Sequence, residues 1–251
     1  MRRLLGSCFV CSCLVSLGCS SAAAQADPTD AAPPGDSAVA PKDVGFDASP
    51  ADAAAVDVVV DAGKPAHYAT KVVSYTIGPG GGAGKDRLPD VVLGPPHGGG
   101  CCAGSVDTLS LGDGGEIVVG FDVAIVDGPG TDLIVFENAF QISGDPTKVL
   151  YELGEVSVSD DGVTWKTFPC TATAYPFGTC AGWHPVLATP EQPVDVNEPA
   201  RAGGDPFDLA DLGVAHARFV RIRDLETKIP PGPGTAGFDL DAVAVIHEVT
   251  E

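Results

Sequence analysis

Basic residues are scarce in this chain: 14 Lys and Arg stand against 34 Asp and Glu, a formal net charge of −20. The clustered cations that hold a phosphate backbone are therefore missing, and nucleic acid is excluded as a partner. Catalytic signatures are missing too. There is no GxSxG elbow and no HExxH, and His67, His97, His184, His216 and His247 stand singly without an adjacent nucleophile, which argues against an enzyme. Asp160 and Asp161 do not change this, because neighbouring turn residues point apart and cannot flank one glycosidic bond. The Gly-rich run Gly78-Pro79-Gly80-Gly81-Gly82-Ala83-Gly84-Lys85-Asp86 carries Asp where a phosphate loop needs Ser or Thr, so nucleotide binding is excluded as well. Gly98-Gly99-Gly100, ahead of Cys101, reads as tight backbone turns.

The apolar stretch over residues 4–17 is short of the ~20 residues that cross a bilayer. It follows Arg2 and Arg3 and ends at Gly18-Cys19-Ser20, the pattern of a secretory signal peptide. Ser16-Leu17-Gly18-Cys19 resembles the bacterial lipoprotein processing box, although that family usually has an aliphatic residue where Ser16 stands. Cleavage after a later small residue such as Ala24 is the alternative. The resemblance implies a leader over residues 1–18 and a lipid on Cys19 that anchors the chain to a membrane. With Ser20 rather than Asp after the cysteine, it further implies the outer membrane of the cell envelope.

From residue 19 to residue 65 the composition is Ala, Asp, Pro, Ser and Val with Phe46 as the one aromatic. Such a segment cannot bury enough apolar area to offset its ordering entropy and is expected to be a disordered, self-repelling tether. Of the eight cysteines, Cys8, Cys11 and Cys13 leave with the leader and Cys19 would carry lipid. Cys101, Cys102, Cys170 and Cys180 remain, an even four that reads as two disulfides in an exported domain. Pairing Cys170 with Cys180 closes a short loop and leaves Cys101 with Cys102; the cross-pairings are equally compatible with the sequence. No cysteine or histidine spacing suits zinc.

After Lys64 short apolar runs alternate with Gly, Pro and Asp turns, which predicts one all-β domain over residues 66–251, an antiparallel β-sandwich. Strands are expected over 71–77, 108–111, 116–122, 132–137, 155–159, 164–168, 217–223 and 239–248. Val156 and Val158 share a face, whereas Phe219 and Ile222 do not, so twist or a bulge is expected between them. One helix is expected over 206–212, with Asp205 as its cap and Pro206 at its first position.

Val156-Ser157-Val158-Ser159-Asp160-Asp161-Gly162-Val163-Thr164-Trp165 is a strand, an Asp-Gly turn and a second strand. It resembles the V-x-V-S-x-D-G-x-x-W hairpin of discoidin-like domains, the galactose-binding-like C-type modules of coagulation factors and of many bacterial carbohydrate-binding proteins. Trp165 is expected in the core. Two more segments share the likeness: Gly120-Phe121-Asp122 leading to Asp127-Gly128-Pro129-Gly130-Thr131-Asp132 and Phe136-Glu137-Asn138, and Arg218-Phe219-Val220-Arg221-Ile222-Arg223 followed by Gly237-Phe238-Asp239-Leu240-Asp241. The resemblance spans about residues 70 to 248 and implies a jelly roll within a bacterial cell-surface lipoprotein.

Asp127, Asp132, Glu137 and Asn138 cluster in sequence around one Gly-rich turn and strand, and the two-residue period puts Asp239 with Asp241 on one face. Together they are the expected ligands of a calcium ion, which takes six to eight hard oxygens. The turn-rich stretch over 168–190 holds Tyr175, Trp183 and His184 between and beyond Cys170 and Cys180, a disulfide-pinned loop able to stack on sugar rings. The expected role is calcium-supported recognition of carbohydrate or another surface ligand; the alternative is a structural or protein-interaction module of the envelope.

Overall fold

Alternating runs become strands almost throughout, in a computed structural model that describes residues 68–171, 173–192, 194–226 and 237–250. All of these lie in one unit, Pro50–Glu251. The expected leader, Cys19 and the tether over 19–65 fall outside the described residues.

Strands β1 (Lys71–Thr76), β2 (Leu109–Ser110), β3 (Glu116–Val126), β4 (Leu133–Glu137), β5 (Phe140–Gln141) and β6 (Val149–Leu150) come first. They are followed by β7 (Gly154–Ser159), β8 (Lys166–Thr167), β9 (Asp205–Phe207), β10 (His216–Asp224), β11 (Asp239–Val245) and β12 (Glu248–Val249). One antiparallel sheet runs β1-β3-β10-β7-β8, with β12 also on β3; a second runs β2-β11-β4-β9; β5 and β6 form a small ribbon. Inward residues of both larger sheets share one core, among them Val119, Phe121, Val156, Val158, Val220 and Ile222 from the first and Leu133, Val135, Leu240 and Val243 from the second. The all-β, sandwich-like reading therefore holds. The outer face of the second sheet is covered in turn: Ile134, Phe136, Ala242 and Ala244 pack with Tyr68, Val186, Val196 and Ala202, the last from the short helix α1 (Pro199–Ala202).

Several expectations need correction. The segment over 206–212 is not an α-helix: Asp205–Phe207 pairs with β4, and only Leu209–Leu212 turns, as a 3-10 helix capped by Asp208, which accepts from Ala210 N–H. Pro206 fits β9 because that strand is at a sheet edge, where a missing N–H costs no ladder bond. The single strand expected over 239–248 is two, since β11 joins β4 while β12 crosses to β3. Trp165 is half-buried rather than in the core, with the Arg221 guanidinium 4.6 Å over its ring. In β10 the register against β3 shifts between Ala217 and Phe219, ahead of the expected place, and pairing from Phe219 to Ile222 is continuous.

Candidate metal centre

β4 decides where its acids go. Its inward face carries Leu133, Val135 and, last, Glu137, which pairs across the ladder with the core residue Leu240. A carboxylate at the final inward position is necessarily enclosed: Glu137 is 2% exposed. One oxygen accepts from Asp239 N–H at 3.4 Å, and the other, Oε2, is buried without a partner. Asp239, which opens β11 opposite, has an unpartnered buried oxygen of its own, Oδ1. Glu152, two residues ahead of β7, accepts from Gly237 N–H at 3.1 Å.

Carboxylate oxygens of Glu137, Glu152 and Asp239 lie within 4.8 Å of one another. Among the described residues no Lys or Arg pairs with any of them. Burial drives the Glu137 carboxyl well above its usual range, with Asp239, Glu152 and Asp205 adding repulsion. Burial, then Asp239, pushes Glu152 to about 8, and burial raises Asp239 as well. Uncompensated charge at this density demands protons or a cation. Three hard oxygen donors, two of them with unused lone pairs, form a group that could hold a metal ion.

The expected six-residue ligand set divides. Asp132 precedes β4 while Glu137 ends it, so the strand places them about 17 Å apart at opposite ends of the sandwich. Asp132 is fully buried and fully used: it accepts from Gly128 N–H at 2.8 Å, Leu209 N–H at 2.7 Å and His247 Nδ1 at 2.8 Å. Asp127 and Asp208 approach it, yet a carboxylate with those three donors is a structural hub and needs no ion. Asn138 belongs to the Glu137 pole as a support, since its side chain hydrogen-bonds Asp239. Asp241 stands apart: a register shift between Leu240 and Ala242 interrupts the two-residue period, and both its oxygens accept from His97 N–H at 2.9 and 3.0 Å. Burial raises it to about 7.

The cysteines form the pairs Cys101–Cys102 and Cys170–Cys180. Behind the second bridge, Phe177, Cys180, Trp183 and Leu153 make a separate small core. Trp183 is 8% exposed and donates its indole N–H to the Cys180 carbonyl at 2.8 Å, so its ring is packing rather than platform. Tyr175, 61% exposed and edge-on to Trp183 at 5.4 Å, is the aromatic left to a ligand. His184 stacks on Trp183 at 3.7 Å, and its Nδ1 meets buried Asp205 at 2.6 Å, while the side chain as a whole stays 41% exposed. This loop packs directly on the carboxylate-bearing segment: a Cβ on Gly182 would lie 2.0 Å from the Glu152 carbonyl oxygen.

Sequence reasoning missed Glu152 and Asp205. The signal for Glu152 is its place between Tyr151 and Leu153, two apolar residues that turn inward ahead of a strand. Asp205 looked like a helix cap, and only its three loop donors, Gly182, Trp183 and His184, reveal its use.

Comparison with family models, with curated proteins and with solved structures finds no match.

Proposed function

We propose that the chain is an exported, lipid-anchored envelope protein whose β-sandwich, of jelly-roll type, recognises carbohydrate or another surface ligand beside a bound calcium ion. One observation carries the reading: Glu137 Oε2, buried and unpartnered, faces two further carboxylates with no basic side chain to balance them among the described residues. Glu137, Glu152 and Asp239 would hold the ion, and Asn138 would orient Asp239. Calcium would cancel their mutual repulsion, and its remaining coordination positions would take water or ligand hydroxyls. The neighbouring loop offers Tyr175 for stacking and His184 for hydrogen bonding, both on a segment fixed by the Cys170–Cys180 bridge. Two disulfides fit an oxidising compartment, as an exported chain requires.

Calorimetry on the mature chain tests the ion: heat of calcium binding is expected in the wild type and lost in Glu137→Gln. A wild type that neither evolves heat nor melts higher with calcium overturns the site. A glycan array tests the ligand, with retention expected to need calcium and to drop at least tenfold in Tyr175→Ala. A blank array with a co-purifying protein would favour the interaction module instead. Labelling with a fatty-acid analogue tests the anchor, and label that survives Cys19→Ala rules it out.

A further inference from the structure

Residues 97–107 enter no strand, yet hydrogen bonds fix them to Asp241 of β11, to Gln141 of β5 and to Asn138 beside the cation centre. At one end His97 N–H holds Asp241. At the other, Asp107 is held by His97 Nδ1 at 2.5 Å and by Arg87. Between these anchors the exposed pair Cys101–Cys102 forms the apex. The Cys101 carbonyl accepts from Gln141 N–H at 2.7 Å, and Ser105 N–H donates to Asn138 Oδ1 at 2.5 Å. With its acceptor so occupied, Asn138 turns its amide donor to Asp239. Gly104 allows this close approach: a Cβ there would lie 3.1 Å from Asn138 Oδ1 and 3.2 Å from the Phe140 ring.

We infer that this loop, with the Cys101–Cys102 bridge at its apex, is a positioning element for the cation centre, and that the bridge makes the centre's affinity redox-sensitive. The inference rests on the calcium reading of Glu137, Glu152 and Asp239. Joining adjacent cysteines closes a small covalent ring that contains the peptide bond between them. The carbonyl of that peptide is the one Gln141 binds, so the ring aims the acceptor that docks the apex beside Asn138. A dithiol reductant would deliver two electrons and two protons, break the S–S bond, leave two thiols and depart as its own disulfide. The ring then opens, the apex loosens, and Asn138 loses the contact that points it at Asp239. Partners in the layer behind a metal ligand typically contribute about 10–100-fold in metal affinity.

Calcium calorimetry on the mature chain tests this with Cys101→Ser/Cys102→Ser, Asn138→Ala, the three changes combined, and Gly104→Ala, which keeps the bridge but presses the loop off Asn138. About a tenfold loss of affinity is expected in each, with the combined variant no weaker than Asn138→Ala because the cysteines act through that residue. Melting temperatures in EDTA should stay near the wild type. Wild-type affinity in the cysteine variant, or losses that multiply in the combined variant, overturns the clamp while leaving the ion in place. A wild type that binds no calcium removes both.

Discussion

Glu137 and Asp132 are both enclosed carboxylates at the ends of one five-residue strand, and their surroundings give them opposite roles. Asp132 is met by three donors, so Asp132→Ala leaves Gly128 N–H, Leu209 N–H and His247 unpaired. That change should destabilise the domain by about 3 kcal/mol in urea unfolding and leave calcium affinity unaltered. Glu137 has a buried oxygen with nothing to accept from. Glu137→Gln should therefore raise stability in EDTA by about 1–2 kcal/mol, since it removes a carboxyl that can be buried only with a desolvated charge or a proton taken up on folding, while abolishing the rise in melting temperature expected with calcium. Sequence proximity misled here for a simple reason. Asp127, Asp132 and Glu137 look clustered along the chain, but an extended strand carries its ends far apart, and Glu152 and Asp239 reach Glu137 only through the fold.

Among elements, the strands were the legible part, because apolar alternation is a local signal that burial on one face enforces. Seven of the expected runs match strands to within a few residues, and the run over 239–248 divides at Ile246 and His247, where the chain leaves one sheet for the other. The misread element is instructive. Asp205-Pro206 has the composition of a helix start, but its carboxylate is drawn to the loop around Gly182 and its proline is harmless at an edge. The ribbon of β5 and β6, two residues each, is too short to announce itself by period. Gly182 sits at φ +94°, where L side chains are strained, with the Glu152 carbonyl oxygen 2.0 Å from a would-be Cβ and the Phe238 ring at 3.0 Å. Gly182→Ala should cost about 2–4 kcal/mol and push Glu152 out of line, so calcium affinity falls together with stability; calorimetry and thermal melts on one preparation check both.

For the whole molecule, the acids at the Glu137 pole tie stability to pH. Folded Glu152 holds its proton to about pH 8, whereas in the unfolded chain it ionises near 4.5. Between those values the unfolded state has already released a proton that the folded state keeps, so raising pH favours unfolding. The contribution is complete below about pH 4.5 and is lost as pH passes through about 8. Glu137, Asp205, Asp239 and Asp241 are raised in the same sense, while Asp107, Asp145 and Asp161, held low by hydrogen bonds, titrate below this window. In EDTA the melting temperature should fall steadily from acid to mildly alkaline pH, by about 2–4 °C for each kcal/mol lost. Saturating calcium should flatten or reverse the trend, and a flat curve in EDTA would contradict the raised values. The two-sheet architecture was readable in advance; which of the open cysteine pairings would form, and which pole an acid would occupy, were not, because both depend on how distant segments meet.

Leu240 and Val243 face the core, and Ala242 and Ala244 face outward, with Asp241 as the extra residue between Leu240 and Ala242. Excising Asp241 would thus leave every later side chain of β11 on its present side, and the shortened strand would still zip against β4. What would be forfeited is the carboxylate that moors His97 N–H, so the supernumerary residue is a mooring post set into the rail of the strand.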